Sequence, residues 1–189
     1  MPFLPTLQGT AAVRAPAEDF FPAFVRRVEK GLFPGAPGWR SRYAVVEQER
    51  DRVRFHATDW MTAISVGLND VRLDMPSSGA VRYRVRYLRW AAYALLLSAG
   101  IGLLLIAGLT AFDLPGYIAK NSASRITGLS VEQNVKLAWG FALFWGFLWP
   151  WILIALHKLT LRRLVTRLIQ ETDTAAFAWR AQHASRVAR

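Results

Sequence analysis

The sequence predicts an α+β membrane protein: a small cytoplasmic domain of one helix on an antiparallel meander, a two-helix transmembrane hairpin, and a C-terminal amphipathic helix. Three observations carry this reading. Positions 90–112 and 137–156 form blocks of 23 and 20 residues without Asp, Glu, Lys, Arg or His, and about 20 apolar residues suffice to cross the hydrocarbon layer. Short runs of alternating apolar and polar residues, separated by turn residues, precede the first block. A helical apolar stripe follows the second. The expected organisation is a cytoplasmic α+β domain over 1–89, a transmembrane hairpin over 90–156 with an extracytoplasmic loop at 113–136, and a cytoplasmic amphipathic tail over 157–189.

Composition narrows the class. The chain has 189 residues, 53% of them hydrophobic, which excludes a disordered chain and argues against a soluble single-core protein. With no cysteine it has no disulfide, thiol nucleophile or thiolate metal site. The 24 Lys+Arg against 13 Asp+Glu give a net charge of +11. Fourteen of the cations precede residue 90 and seven follow residue 156, while only Lys120, Arg125 and Lys136 lie between the apolar blocks. Positive flanks around a hairpin place both termini in the cytoplasm and account for the basic pI without nucleic acid as a partner. Met1-Pro-Phe-Leu-Pro-Thr-Leu lacks the basic and apolar regions of a signal peptide, so residues 1–89 are expected to stay on the cytoplasmic side. Arg outnumbers Lys twenty to four beside abundant Ala and Leu, a composition common in GC-rich bacteria, so a bacterial cytoplasmic membrane is the expected location.

Taken in order, the cytoplasmic domain opens with a helix over about Glu18–Lys30. Pro16 and two acids start it, Phe20, Phe21, Phe24, Val25 and Val28 share one stripe, and Gly31 ends it. The turn-rich Phe33–Trp39 leads to strands at Tyr43–Gln48, Val53–Ala57, Thr62–Val66, Val71–Met75 and Val81–Tyr87. In the last strand Val81, Tyr83, Val85 and Tyr87 fall on one face and Arg82, Arg84 and Arg86 on the other. With Arg89 these cations form a basic row beside the first span. It is suited to anionic headgroups at about 1 kcal/mol per cation, and equally to a solvated face that protects the sheet from aggregation.

The spans carry small residues at four-residue spacing. Ala94, Ser98 and Gly102 in the first and Ala142 and Gly146 in the second make a helix-packing seam, expected to pair Ser98 with Gly146 and Gly102 with Ala142. Pro150 is expected to kink the second span. That span is rich in aromatics, and Trp145 near its middle, with Trp149, is a candidate for contact with a neighbouring protein or a flat lipid, or for stacking on the first span. Ser130-Val-Glu-Gln133 has the form of a capping box. From there the helix runs past the membrane, with Leu164 and Leu168 on a stripe to be covered by the N-terminal domain, a partner protein or the membrane surface, before a break at Gln170–Thr174.

Catalytic and metal-binding patterns are not found. His56, His157 and His183 stand far apart, and no nucleophile elbow, phosphate loop or zinc motif occurs. No cofactor is implied. His56-Ala-Thr-Asp59 reads as a local hydrogen-bonding turn. The spans hold no ionisable side chain of the kind that lines transport paths.

Ala12-Val-Arg-Ala-Pro-Ala-Glu-Asp-Phe-Phe21 resembles the strand-to-helix passage of START-type lipid-cavity domains. The resemblance covers ten residues, and the longer helix-grip sheet it implies has little room before the first span, so the family is not assigned and only a ligand-binding role follows. Two functions are expected from these readings. One is a non-catalytic accessory, structural or assembly subunit of a larger membrane complex or homo-oligomer. The other is a membrane-tethered module that senses a lipid or small ligand.

Overall fold

The computed structural model describes residues 4–32, 42–77, 79–121 and 126–187, with side chains as far as Gln182. Phe33–Trp39, read as a turn-rich loop, lies outside the described residues. The chain divides into two compact units, Met1–Ala91 with Leu156–Arg189, and Ala92–Ala155.

The first unit is a five-stranded antiparallel sheet in the order β1-β5-β4-β3-β2: β1 Thr6–Ala12, β2 Tyr43–Gln48, β3 Arg52–Ala57, β4 Asp70–Ser77 and β5 Ala80–Arg86. Four strands form the expected meander. A fifth strand, β1, beyond those expected, pairs with β5 from Thr6↔Arg86 to Ala12↔Ala80. Its Gly9 and paired alanines give it little of the β-branched signal by which strands are read. Between β1 and β2, helix α1 (Ala17–Glu29) buries Phe20, Phe21, Phe24, Val25 and Val28. Ala12–Phe21 thus does pass from strand to helix.

Thr62–Val66, read as a strand, is instead part of helix α2 (Trp60–Val66). The reason is local. The Asp59 carboxylate accepts from the Thr62 N–H (2.7 Å) and the Thr62 hydroxyl (3.0 Å), and Gly67, at φ 87°, ends the helix in the left-handed region. The backbone N–H groups of Thr62 and Met61 and the Thr62 hydroxyl favour the Asp59 anion, and its pKa lies below the usual carboxylate range, chiefly through Thr62. Asn69 then fixes the start of the first apolar helix, α3 (Leu88–Ala111), by accepting from the Arg89 N–H at 2.6 Å while donating to the Ala63 carbonyl at 2.7 Å.

From Leu156 onward the last helix, α6 (Trp149–Val187), belongs to the first unit. It buries Leu161, Val165, Leu168, Ile169, Thr172 and Ala176. Its stripe is therefore covered within the chain, and Leu168, expected to face a partner, is a core residue; Leu164 is half-buried. The expected break at Gln170–Thr174 does not occur. The hydroxyls of Thr172 and Thr174 donate to the Leu168 and Gln170 carbonyls, which satisfies these poor helix formers within the helix. Buried Asp173 accepts the backbone N–H groups of Arg14 and Ala15, both at 2.8 Å, and Glu171 pairs with Arg27 and Arg167.

The second unit is helical. The apolar part of α3 leads to the short helix α4 (Leu114–Lys120), capped by the Asp113 carboxylate on the Gly116 N–H at 3.1 Å, and then to α5 (Val131–Leu143). Both hydrogen bonds of the Ser130/Gln133 capping box are made. α3 and the continuous helix from Val131 are long and apolar enough to cross a membrane, with mean hydropathies of 2.2 and 1.7 over an 18-residue stretch of each. A π-helical turn at Phe144–Leu148 separates α5 from α6. It precedes Pro150, which has no N–H to donate to the backbone ladder.

Within this unit the seam residues Ala94, Gly102, Ala142 and Gly146 are buried and Ser98 is half-buried. The register differs by one turn from the expected one: Gly102 meets Gly146, and a Cβ built on Gly102 would lie 2.5 Å from the Gly146 Cα. Matching the two glycines allows the closest backbone approach. The expected register came from the ends of the apolar blocks, which do not fix it.

Candidate functional site

The second face of the sheet is made by alternation along β3, β4 and β5. While Val53, Phe55, Val71, Leu73, Val81, Tyr83 and Val85 point into the core, their neighbours Arg52, Arg54, Arg72, Arg82, Arg84 and Arg86 point away from it. Strand pairing then lines them up across the sheet. Arg54 is opposite Arg72, Arg72 opposite Arg84, and Arg84 opposite Gln8. On one side of this row stand His56, Asp70, Arg86 and Thr6, and on the other Arg52, Asp74, Arg82 and Thr10. Three arginines directly opposite one another on neighbouring strands repel, since facing Cβ atoms on an antiparallel pair are only about 5 Å apart.

Only part of this charge is balanced within the chain. Asp70 holds Arg54 in a bidentate pair with both contacts at 2.9 Å, and that pairing keeps the Asp70 carboxyl below its usual range and raises the Arg54 pKa. Arg52 reaches Glu47 and Glu49, both at 3.6 Å. Among the described residues, the side chains of Arg72, Arg82 and Arg84 make no hydrogen bond or ion pair. Two adjoining depressions open on this face and share Arg72 and Arg84: one of 160 Å³ toward Arg54, Asp70 and Arg86, and one of 570 Å³ toward Gln8, Thr10 and Asp74.

Of the expected basic row, Arg82, Arg84 and Arg86 lie on this face. Arg89 does not. It follows the strand, in the first turn of α3, and its guanidinium donates to the Ala57 carbonyl at 3.4 Å. Arg52, Arg54 and Arg72 join Arg82, Arg84 and Arg86, and Arg52-Val-Arg-Phe55 and Val71-Arg-Leu73 carry the same alternation as β5. Register, which juxtaposes the three strands, was the missing information.

The expected aromatic contact residues, Trp145 and Trp149, are in the helical unit. Trp145 is 36% exposed and packs on Trp149, Phe141 and Phe144 of its own helix, with ring centroids 4.9, 5.8 and 6.2 Å away. Neighbouring rings of the same span, rather than the first span, supply its aromatic contacts. The histidines remain separate: His56 is on the arginine face, and the side chain of His183 lies outside the described residues. His157 stacks on Trp90 with ring centroids 3.7 Å apart and planes 4° apart. Burial pushes its pKa down to about 4 against a smaller opposing pull from the Val66 backbone, and its Nε2 has no well-formed hydrogen bond.

No family model, curated protein or solved structure matches the chain. Function is therefore argued from this geometry alone.

Proposed function

We propose that the protein is a non-catalytic membrane-anchored binding module, in which a helical hairpin crosses the bilayer and a cytoplasmic sheet domain uses its arginine face to bind an anionic lipid surface. The observation that carries the reading is the row Arg54–Arg72–Arg84 with its flanking Arg82 and Arg86. Such a row is self-repelling until an anion neutralises it, and Arg72, Arg82 and Arg84 have no partner among the described residues. The helical unit supports the anchor, because large apolar side chains such as Leu96, Leu103, Leu104 and Phe141 are exposed along its two long helices. The sheet unit supports proximity to lipid, because Trp60, Met61 and Leu88 are 50%, 51% and 64% exposed, and Trp favours the interface. Arg86 stands two residues before Leu88, the first residue of α3. A bacterial inner membrane with both termini cytoplasmic is the setting that the cation distribution favours.

The test uses full-length protein reconstituted in phosphatidylcholine vesicles with the sheet domain outward. These vesicles are expected to capture added anionic vesicles, to capture neutral ones far less, and to lose the difference in Arg72→Gln/Arg84→Gln or at high salt. Equal capture of both kinds of vesicle contradicts the reading.

A second reading, an accessory subunit of a membrane complex, is favoured by the partly exposed ladder Phe141–Trp145–Trp149. Stoichiometric companions that co-purify with the wild type and are lost with Trp145→Ala are its expected signature. The amphipathic tail adds nothing to this reading, since Leu168 is buried within the chain.

A further inference from the structure

We infer that the arginine face is built for a phospholipid whose headgroup is a polyol, of the glycerol type, with the phosphate on Arg72 and Arg84 and the hydroxyls toward Gln8, Thr10 and Asp74. This rests on the anionic-surface reading above and narrows it to a headgroup class.

The two depressions divide by chemistry. Arg72 and Arg84 line both, and a guanidinium fork matches two phosphate oxygens, so the phosphodiester belongs at the arginines they share. In the smaller one, Asp70 is already engaged by Arg54 through two hydrogen bonds, which leaves it closed to a second cation. The larger one is different. It adds the amide of Gln8, the hydroxyl of Thr10 and the carboxylate of Asp74, and no hydrogen bond or ion pair engages these three side chains among the described residues. Amide, hydroxyl and carboxylate side by side can donate to and accept from alcohol groups. An ammonium group placed there would find one carboxylate facing Arg52, Arg72, Arg82 and Arg84, so choline and ethanolamine headgroups are disfavoured, and serine, whose ammonium meets these arginines while its carboxylate meets Asp74, matches the lining less well than a polyol. Lipid is the chosen source because two helices of this chain are long and apolar enough to hold it in a bilayer.

The experiment titrates the full chain in neutral detergent with dihexanoyl phosphatidylglycerol, phosphatidylserine and phosphatidylcholine, and with glycerol 3-phosphate, reading the melting temperature. Phosphatidylglycerol and phosphatidylserine carry the same net charge, so the comparison isolates the headgroup. The expected result is stabilisation by phosphatidylglycerol above all others. Arg72→Gln/Arg84→Gln should weaken apparent affinity about tenfold or more, as the loss of charge-assisted hydrogen bonds would. Gln8→Leu/Thr10→Val should make the two anionic lipids equal. Gln8, Thr10 and Arg84 are exposed and Arg72 is half-buried, and unchanged melting without lipid verifies the folding of both double variants.

Equal stabilisation of the wild type by phosphatidylglycerol and phosphatidylserine overturns the polyol assignment and leaves the anionic-surface reading standing. Anionic lipids acting no more than phosphatidylcholine overturn both. Glycerol 3-phosphate acting as strongly as the lipid overturns the choice of lipid as the source. Lipid stabilisation that survives Arg72→Gln/Arg84→Gln places binding elsewhere and overturns the site.

Discussion

In the sheet unit Phe20, Phe21, Phe24, Phe55 and Leu161 are buried and six arginines stand on the outer face; in the helical unit Gly102, Ala142 and Gly146 are buried while Leu103 and Leu104 are 60% and 75% exposed. The first arrangement follows from water, which drives large apolar groups inward at about 25 cal/mol per Å². The second is inverted. Nothing drives Leu104 inward if its surroundings are themselves apolar, and the helices then gain most from close backbone approach at small residues. One chain thus carries two packing logics, and each predicts a different response to substitution.

The largest expected effect is in the aqueous core. Phe24→Ala should destabilise the sheet unit by about 3–5 kcal/mol, the usual result of truncating a buried phenylalanine, seen as a fall in its denaturation midpoint. The comparable site in the helical unit is a small residue. Gly102→Leu forces a side chain against the Gly146 backbone and should cost about 3 kcal/mol of hairpin packing, whereas Leu104→Ala, a larger deletion at an exposed site, should change little. Cross-linking yield between α3 and α5 within the chain measures both, and a larger loss with Leu104→Ala than with Gly102→Leu would break the comparison.

Next comes the polar fastening at Asn69 in the sheet unit. Asn69→Ala removes the acceptor for the Arg89 N–H and the donor to Ala63, and about 2 kcal/mol should be lost. Chemical denaturation of the sheet unit reads it.

A pH effect follows from His157. Its folded pKa, about 4, lies below the ordinary 6.5, so the unfolded chain takes up a proton that the folded one refuses. Stability is therefore complete above about pH 6.5 and falls as pH drops toward 4. Melting curves across this range should show the slope, with the part due to His157 absent from His157→Gln. Asp59, Asp70 and Glu171, whose pKa values are lowered by their hydrogen-bond partners, lose their contribution as they protonate at more acid pH. The smallest effect is expected on the arginine face, where Arg72→Gln should leave stability within about 0.5 kcal/mol or raise it slightly, because it relieves repulsion.

Much of this contrast was legible in the sequence, because it depends on local periodicity. The α1 stripe, four of the strands, the capping box at Ser130 and both apolar helices follow from spacing alone. Thr62–Val66 misled because β-branched residues suggest a strand, while the deciding signals, the Asp59 cap and Gly67, are single residues at its ends. The register of Gly102 against Gly146 and the cover over Leu168 are long-range choices that periodicity does not encode. The candidate site was half legible for the same reason. Alternation showed Arg82, Arg84 and Arg86, but only the pairing of β3, β4 and β5 brings Arg54, Arg72 and Arg84 into one row.

The most direct test of the account is the rate at which a water-soluble maleimide labels single cysteines introduced at Leu104 and Thr10, in a chain that has none of its own, reconstituted in neutral and in anionic nanodiscs. The account predicts that Leu104→Cys is protected in both lipids, and that Thr10→Cys is labelled readily in neutral lipid and slowly in anionic lipid. Rapid labelling at Leu104→Cys, or the same rate at Thr10→Cys in both lipids, would contradict it.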